Sequence, residues 1–247
     1  MSARPLWLSP SLAAVPDGGV PAFETKFSVP AAAAAAVEAW VAERLARDPH
    51  SDPVRNGYRI TSVYFDTPAF DVFHRRPGFD VHKYRVRRYG TEPVAQLERK
   101  SKKDGRVWKH RAAAPLAALD RSADEWGVPW FAQELADLNL RPVCAVTYDR
   151  SAFVGAGPTG PVRVTFDRAA VGRTADGVSL APVADGVSLL ADEVVVELKY
   201  LASLPPLFKE AIEAHRLAPT GLSKYRRCAR STGLAAEECS VRSASED

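Results

Sequence analysis

The heptapeptide KYRVRRY, Lys83–Tyr89, decides the fold of this protein because charged and apolar residues alternate along it. Successive side chains of a β-strand point to opposite faces of the sheet. Lys83, Arg85 and Arg87 therefore share one face, and a tyrosine and a valine lie on the other. The segment predicts a strand with one cationic face and one apolar face.

The same alternation returns in other short segments of the chain. It is present in QLERKSK, TYDRSAF, VRVTFD and VVELKY, which are residues 96–102, 147–153, 162–167 and 195–200. Because the cationic positions recur from strand to strand, we expect them to form one continuous basic surface. The formal net charge is only +3, so this basic character is local and organised in space.

Eight segments have the alternation and composition of strands, and helical patterns separate several of them. The predicted strands are Ala22–Ser28, Tyr58–Phe65, Val81–Tyr89, Pro93–Ser101, Arg106–Ala112, Val143–Phe153, Val162–Arg168 and Glu193–Tyr200. The predicted helices are Pro30–Arg47, about 115–140 with an interruption near Gly127 and Pro129, and a segment that follows Pro205 and Pro206 and ends at about His215. Eight strands are enough to close a barrel and remove exposed edges. The sequence therefore predicts an α+β fold, a closed, mainly antiparallel eight-stranded β-barrel with helices packed outside.

The helices indicate which face of the barrel points inward. The first helix carries an apolar stripe that includes Val37, Val41 and Leu45. Such a stripe needs an apolar surface to pack on, which is available only if the apolar sheet faces lie outside. The opposite arrangement would leave the cations coating the exterior. Packing of the helices thus favours a charged interior.

A cationic interior predicts an anionic ligand. Two like charges about 6 Å apart repel by roughly 3 kcal/mol at an effective dielectric near 20. Arginine and lysine are the usual ligands of phosphate, which would relieve this repulsion. The predicted lining consists of Lys26, Arg85, Arg87, Lys100, Lys109, Arg150, Arg163 and Lys199.

A few acidic residues interrupt the cationic faces. Glu24, Glu98 and Glu197 would repel phosphate unless a divalent cation bridges them to it. Carboxylates combined with phosphate oxygens are the usual environment of Mg²⁺ or Mn²⁺. The pattern therefore predicts a metal-assisted phosphate site, although Glu98 and Glu197 could also pair with neighbouring lysines.

Composition limits the remaining classes of function. The three cysteines lack the CxxC spacing of a zinc site, and unpaired thiols of a reducing compartment are expected. No apolar run is long enough for a membrane span, and the N-terminus lacks the apolar core of a signal peptide, so a cytoplasmic location is predicted.

The cationic faces carry few aromatic residues for base stacking, which disfavours a nucleic-acid partner. A flexible arm is expected at 1–20, one domain at 21–231, and a disordered tail at 232–247.

Nine motifs, in order, resemble the VTC domain of polyphosphate polymerases, within the triphosphate tunnel metalloenzyme (CYTH-like) superfamily. They cover about residues 22–230. They are FETKF near the start, VYFDT at 63–67, KYRVRRYG at 83–90, LERKSK at 97–102, GRVWKHR at 105–111, TYDRSAF at 147–153, VRVTFDR at 162–168, VVELKY at 195–200 and LSKYRR at 222–227.

The resemblance implies an ATP-dependent polymerase that transfers the γ-phosphate to polyphosphate and releases ADP, in a tunnel with a divalent metal, Mn²⁺ or Mg²⁺. ATP and polyphosphate or triphosphate are the implied partners; membrane-coupled export would need another protein. By position, the implied catalytic residues are Lys26, Arg85, Arg87 and Lys199. The implied phosphate ligands are Lys100, Lys109, Arg150, Arg163 and Lys224, and the metal ligands are Glu197, Glu98 and Glu24.

One departure affects how the resemblance is read. The superfamily opens with Glu-x-Glu-x-Lys, but the first glutamate position is Ala22 here. The loss of one carboxylate fits the polymerase branch better than the hydrolase branch. Two other functions stay open on the same tunnel, namely a tripolyphosphatase or nucleoside-triphosphatase and a non-catalytic polyphosphate-binding module.

Overall fold

The computed structural model describes residues 20–235. The predicted arm up to residue 19 and the predicted tail from residue 236 lie outside this range. Residues 232–235 follow the last helix, and Ala235 is buried against the core. Within the described range, no helix has both the length and the apolar character needed to cross a membrane.

Eight long strands form a closed antiparallel barrel, as the sequence predicted. Two further strands, β2 and β9, are two residues long and extend the sheet at β7 and β8. Around the barrel the order is β7-β3-β4-β5-β6-β1-β10-β8, and β8 pairs with β7 to close it. The strands are β1 (Ala22–Pro30), β2 (Ala46–Arg47), β3 (Tyr58–Asp66), β4 (His82–Tyr89), β5 (Val94–Lys103), β6 (Arg106–Pro115), β7 (Arg141–Gly157), β8 (Gly160–Thr174), β9 (Val187–Ser188) and β10 (Glu193–Tyr200).

The helices pack outside the barrel and at one end of it. They are α1 (Ala31–Ala42), α2 (Asp71–His74), α3 (Pro129–Asp137), α4 (Pro206–Ala214) and α5 (Lys224–Ser231), with short 3₁₀ turns at Leu116–Ala118 and Ala123–Trp126. The first helix ends earlier than predicted, because Ala46 and Arg47 pair with β7 instead.

Helix α5 was not predicted as a helix, since half of its sequence KYRRCARS is basic. Its Ser223 N-cap accepts a hydrogen bond from the Arg226 backbone N–H, which satisfies one of the free donors of the first turn. Tyr225, Cys228 and Ala229 are buried at the i, i+3, i+4 spacing of one helical face. Tertiary packing on β7 and β8 therefore holds this helix in place.

The apolar faces of the strands lie outside the barrel, under the helices. Val164, Phe166 and Val196 pack against α1 and α4 in one apolar cluster. A second cluster on the other side joins strands β3, β4 and β7 to α3 and α5. The charged faces consequently point into the barrel, and this is the arrangement that the helix patterns favoured.

Candidate functional site: the charged barrel interior

The barrel interior collects far more cations than anions. Among the described residues, eleven lysines and arginines and five carboxylates are gathered there, which leaves a formal excess of six positive charges when every lysine is counted as protonated. All predicted site residues belong to this set. The cations are Lys26, Lys83, Arg85, Arg87, Lys100, Lys109, Arg111, Arg150, Arg163, Lys199 and Lys224, and the carboxylates are Glu24, Asp48, Glu98, Asp167 and Glu197.

Glu24 is shared by three lysines from three neighbouring strands. Lys100 forms an ion pair with it, Lys109 Nζ lies 3.0 Å from its Oε1, and Lys199 Nζ lies 3.6 Å from the same oxygen. Burial and the nearby Glu197 oppose its ionisation, but the lysines outweigh them and hold the pKa of Glu24 well below its usual value. Burial lowers the pKa of Lys100 to about 8. Glu24 opposes this shift, but it is shared with two other lysines and does not cancel the effect of burial.

Glu197 lies beside Glu24 and contacts two lysines. Its carboxylate is 3.2 Å from Lys26 Nζ and 2.8 Å from Lys199 Nζ. Burial disfavours the charge of Lys26, but Glu197 opposes this and raises the pKa of Lys26 above its usual value. Because Lys199 contacts both glutamates, its ammonium bridges two carboxylates in the centre of the barrel.

Glu98 is paired with arginines, whereas the other two predicted metal ligands are paired with lysines. It is fully buried, and Arg85 and Arg111 each bind one of its oxygens. Among residues 20–235, no three His, Cys, Asp or Glu side chains come together in a group that would hold a metal ion. Glu24 and Glu197 form the pair that would share a divalent cation with phosphate oxygens, since Mg²⁺ is usually held by one or two carboxylates and substrate phosphates.

Arg87 has no carboxylate within ion-pair distance in the described structure. Its Nε donates to Ser62 Oγ at 3.0 Å, and its Nη1 lies 3.5 Å from the hydroxyl of Tyr89. Burial raises the pKa of Tyr89, but Arg87 and Arg111 outweigh burial and lower it to about 8. This guanidinium is therefore available to an anion in the interior.

Asp167 binds two of the predicted phosphate ligands. Arg150 donates to its two oxygens at 2.6 and 2.8 Å, and Lys224 reaches it from helix α5. Burial lowers the pKa of Lys224 to about 8, despite the neighbouring carboxylate. Asp167 was not predicted as a site residue, although it follows Arg163 and Thr165 on the same face of VRVTFD.

Arg163 lies at one end of the barrel in a buried cluster. It pairs with Asp48, and its Nη2 donates to the hydroxyl of Tyr58 at 2.7 Å. The ring of Tyr58 contacts that of Tyr89 edge-on, with centroids 5.9 Å apart. Asp48, Arg163, Tyr58 and Tyr89 lie together at the end of the barrel where β4 ends, and we call this cluster the closed end.

Lys83 lies at the opposite end of β4 from Tyr89. Its Nζ donates to Ser223 Oγ at 3.0 Å, at the start of α5. Burial, together with the charges of Lys26 and Lys100, lowers its pKa well below the usual value. It was part of the cationic strand pattern but was not predicted as a site residue.

The interior space is small and continues into a larger cavity. The volume enclosed by the central charged residues is about 60 Å³, and a cavity of about 400 Å³ adjoins it at the end that contains Lys83. The two share Glu24, Lys26, Lys83 and Lys100. A larger cavity of about 920 Å³ lies outside the barrel near α3, but it lacks a convergent set of charged groups. The convergent charged groups therefore lie inside the barrel and not in this outer cavity.

Solved structures resemble this chain in fold at low sequence identity. A "putative adenylate cyclase" from Bacillus halodurans aligns with a TM-score of 0.50 and 11% identity over 81% of this chain and 92% of its own. A "putative adenylyl cyclase" from Hippeastrum, described as having a dominant triphosphatase activity, gives 0.47 and 11% over 86% and 96%. One from Vibrio parahaemolyticus gives 0.46 and 13% over 85% and 98%. No curated protein matches the chain.

The family comparison covers nearly all of the described structure. The model of the VTC domain matches residues 22–232, from the first residue of β1 to the end of α5. Together with the cationic interior, this match supports a phosphoryl-handling function of the triphosphate-tunnel type. The chain belongs to the VTC domain family.

Proposed function

We propose that this protein is an ATP-dependent polyphosphate polymerase that transfers the γ-phosphate of ATP to a polyphosphate chain. The observation that carries the proposal is the excess of six positive charges inside the closed barrel. An extended chain of phosphates has the charge density to neutralise such a lining, and Arg and Lys are its usual ligands. Side chains from several strands around the barrel, and not one sequence motif, would bind the phosphates.

The interior residues would act by exchanging partners. Lys100 and Lys109 are bound to Glu24, and Arg150 and Lys224 are bound to Asp167. With only about 60 Å³ between these groups, a phosphate chain can enter only if they release carboxylates and take phosphate oxygens. Arg163 could join them by releasing Asp48. These five residues are the proposed phosphate ligands.

Four cations would surround the reacting phosphate. Arg85 and Arg87 come from β4, and Lys26 and Lys199 come from β1 and β10 on the opposite side of the barrel. They would hold the γ-phosphorus in line between the acceptor oxygen and the β–γ bridging oxygen. The acceptor oxygen forms the new P–O bond, and the bridging oxygen departs with its electron pair on ADP.

A divalent cation, Mn²⁺ or Mg²⁺, fits the pair Glu24 and Glu197. Both carboxylates contact the ammonium of Lys199, so a divalent cation held by this pair would displace that ammonium, which would then contact phosphate instead. Once bound there with phosphate oxygens, the metal would neutralise charge on the β–γ bridge. Glu98 would contribute indirectly, since it positions Arg85 and Arg111.

The protonation of the interior acids supports transfer to phosphate over transfer to water. An effective general base has a pKa near the working pH. Burial raises the pKa values of Glu24, Glu98, Asp167 and Glu197, but the surrounding cations hold all four below their usual values. A phosphate acceptor is already an anion and needs no base, so these carboxylates suffice for polymerisation.

A triphosphatase is the second candidate, and one observation favours it. Burial and neighbouring cations lower the pKa values of Lys83 and Lys109 well below the usual value of lysine. A neutral lysine amine could accept a proton from an attacking water. The same barrel would then release orthophosphate from ATP or tripolyphosphate.

The first prediction separates these functions. Purified protein with ATP and Mn²⁺ should form acid-insoluble polyphosphate and ADP, and Arg85→Ala should lower the rate at least 100-fold, as loss of one preorganised electrostatic contact can. The matched control is Arg88→Ala on the same strand, because Arg88 binds the Glu92 and Thr91 carbonyls outside the barrel. Free orthophosphate without polymer would instead establish the triphosphatase, and tight binding without turnover would contradict both.

A further inference from the structure

The motif VYFDT ends in a buried acid that is not among the proposed phosphate or metal ligands. This residue, Asp66, lies at the end of β3 and accepts hydrogen bonds from four donors. Three are the backbone N–H groups of Thr67, Val72 and Phe73, at 2.7, 2.9 and 2.9 Å. The fourth is the hydroxyl of Tyr225 on helix α5. One carboxylate therefore joins the end of β3, helix α2 and helix α5.

The hydrogen bond between Tyr225 and Asp66 has a fixed direction. Burial, together with the nearby carboxylate, raises the pKa of Tyr225, so its hydroxyl keeps the proton and donates it. Burial also raises the pKa of Asp66, and its four hydrogen bonds oppose that rise. A hydrogen bond to an ionised acceptor is roughly twice as strong as a neutral one.

Helix α5 depends on contacts of this kind for its position. It has eight residues, and an isolated helix of that length is marginal in water. Four of the eight residues are cationic, and the helix begins beside a barrel interior that is itself strongly cationic. Its first turn therefore stays in place only if anchors outweigh this repulsion.

The ring of Tyr225 lies at the centre of the contact between α2 and α5. It stacks on Tyr64 of β3 with centroids 5.6 Å apart, and it meets Phe73 of α2 edge-on at 6.4 Å. The guanidinium groups of Arg226 and Arg230 lie 5.0 and 6.0 Å from the centroid of the same phenylalanine ring. The two helices thus pack on one another, and the buried carboxylate holds both of them.

The first turn of α5 also carries a cation into the barrel interior. Lys224 pairs there with Asp167, and the preceding Ser223 accepts a hydrogen bond from Lys83 Nζ at 3.0 Å. Because Lys224 and Tyr225 are adjacent in the chain, a shift of the ring displaces the ammonium. Displacement of a positioning group by about 1 Å can lower a rate by about 100-fold.

We propose that Asp66 and Tyr225 are positioning residues of the charged interior, and that they set the place of Lys224. Neither would touch the phosphates, because their effect passes through the first turn of α5. The phosphate ligand of Lys224 rests on the proposed function, whereas the position of its ammonium is a property of the fold. The motif VYFDT would accordingly serve to hold α5 on the barrel.

Tyr225→Phe tests the proposal without removing the ring or its aromatic contacts. In the ligand-free protein, NMR of ¹⁵N-labelled lysine should show the pKa of Lys224 rising from about 8 toward its usual 10.5, because burial is the main cause of the lowering. The signal is assigned by its loss in Lys224→Arg. The groups that face this ammonium are Asp167, Arg150, Lys26 and the ring of Tyr148.

Asp66→Asn should shift the pKa of Lys224 in the same direction, because its amide would present a donor where the carboxylate accepts one. An unchanged Lys224 pKa in the folded Tyr225→Phe variant would overturn the positioning role.

Tripolyphosphate binding supplies the second measurement. By isothermal titration at neutral pH, Tyr225→Phe should bind about threefold to tenfold more weakly than the intact protein. In a Lys224→Ala background the same change should cost less than twofold, since both changes act through one ammonium. Additive losses would indicate a general structural defect and overturn the proposal. Absence of binding to the intact protein would refute the proposed function, while the ligand-free titration would still decide the positioning role.

Thr61→Val is the matched control on the same strand. It removes the buried hydrogen bond between the hydroxyls of Thr61 and Thr147, 2.9 Å apart, which involves no residue of α5. The variant should lose stability, but the Lys224 pKa and the tripolyphosphate affinity should stay unchanged. If the control shifted this pKa as Tyr225→Phe does, loss of any buried hydrogen bond would disturb α5, and the specific role of Asp66 would be wrong.

Discussion

The two ends of the barrel use the same kind of residue in different ways. At the closed end, Arg163 is paired with Asp48 and shielded by Tyr58, so its charge is satisfied within the protein. At the opposite end, where a cavity of about 400 Å³ adjoins the interior, Lys83 contacts a serine hydroxyl and is surrounded by other cations. Whether an inward-facing cation is neutralised within the protein or is available to an anionic ligand therefore depends on whether a carboxylate lies beside it.

The largest effect is expected at Glu98, which lies between the two ends of the barrel and forms ion pairs with two arginines. Glu98→Leu should lower the free energy of unfolding by about 3–5 kcal/mol, since Arg85 and Arg111 would stay buried without their anion. Urea denaturation measures this loss, and added tripolyphosphate should recover part of it.

The control for Glu98 is an ion pair outside the barrel, between helix α3 and an outward-facing arginine of the same strand, β5. Glu134 pairs with Arg99 in a partly exposed position, and Glu134→Ala should cost only about 1 kcal/mol or less. If both variants lost a similar amount of unfolding free energy, burial of Arg85 and Arg111 without a carboxylate would not be costly, and the prediction would be wrong.

Asp48→Asn tests the closed end itself. We expect a loss of about 2–3 kcal/mol, smaller than for Glu98 because Arg163 keeps its hydrogen bond to Tyr58. In this variant Arg163 would no longer have to release a carboxylate before it binds phosphate, so tripolyphosphate should raise the melting temperature of this variant more than that of the intact protein.

The nearby exposed ion pair provides the reference for Asp48. Asp149 pairs with Arg59 at 2.9 Å on the surface of the same end, and Asp149→Asn should change stability by less than about 1 kcal/mol. A melting temperature that responds equally to tripolyphosphate in both variants would contradict the closed end.

The smallest expected effect is a pH dependence from Lys224. Its pKa is lowered to about 8 by burial, with Asp167 opposing this shift, Arg150 and Lys26 adding like charge, and Tyr148 under its ammonium. The folded protein thus binds fewer protons than the unfolded chain between about pH 8 and the usual lysine pKa of 10.5, and this residue makes stability rise across that window.

Phosphate binding should show the opposite trend, because it needs the protonated amine. Tripolyphosphate affinity should fall by up to about tenfold per pH unit above pH 8 for each such lysine. Lys224→Arg keeps the charge at all these pH values and should flatten the titration profile. An unchanged profile would exclude Lys224 as its source.

Much of the fold followed from local patterns. Each of the eight long strands begins within two residues of its predicted start, since alternation with period 2 records which side chains share a face. Strands β7 and β8 continue beyond their predicted ends, to Gly157 and Thr174. The exceptions depend on contacts distant in sequence. Helix α1 ends at Ala42 because the following residues pair with β7, and α5 forms because Tyr225 and Cys228 bury one face on the barrel.

The site was only partly predictable for the same reason. The alternation identified the inward cations, but Asp48, Arg111 and Asp167 gained significance through partners on other elements. Asp48 binds Arg163 across 115 positions, and Asp167 binds Lys224 across 57. No periodicity within a segment encodes such pairs.

The sequence by itself therefore determined the faces of the strands, their number and the sign of the charge that they present. Tertiary contacts decided which end of the barrel is closed, which glutamates lie together and which inward lysine has no carboxylate within ion-pair distance among residues 20–235. The physical reason is that local periodicity fixes the direction of a side chain relative to its own strand. Strand register and barrel closure then fix the distance between charges on different strands, and those distances govern pairing, pKa and ligand binding.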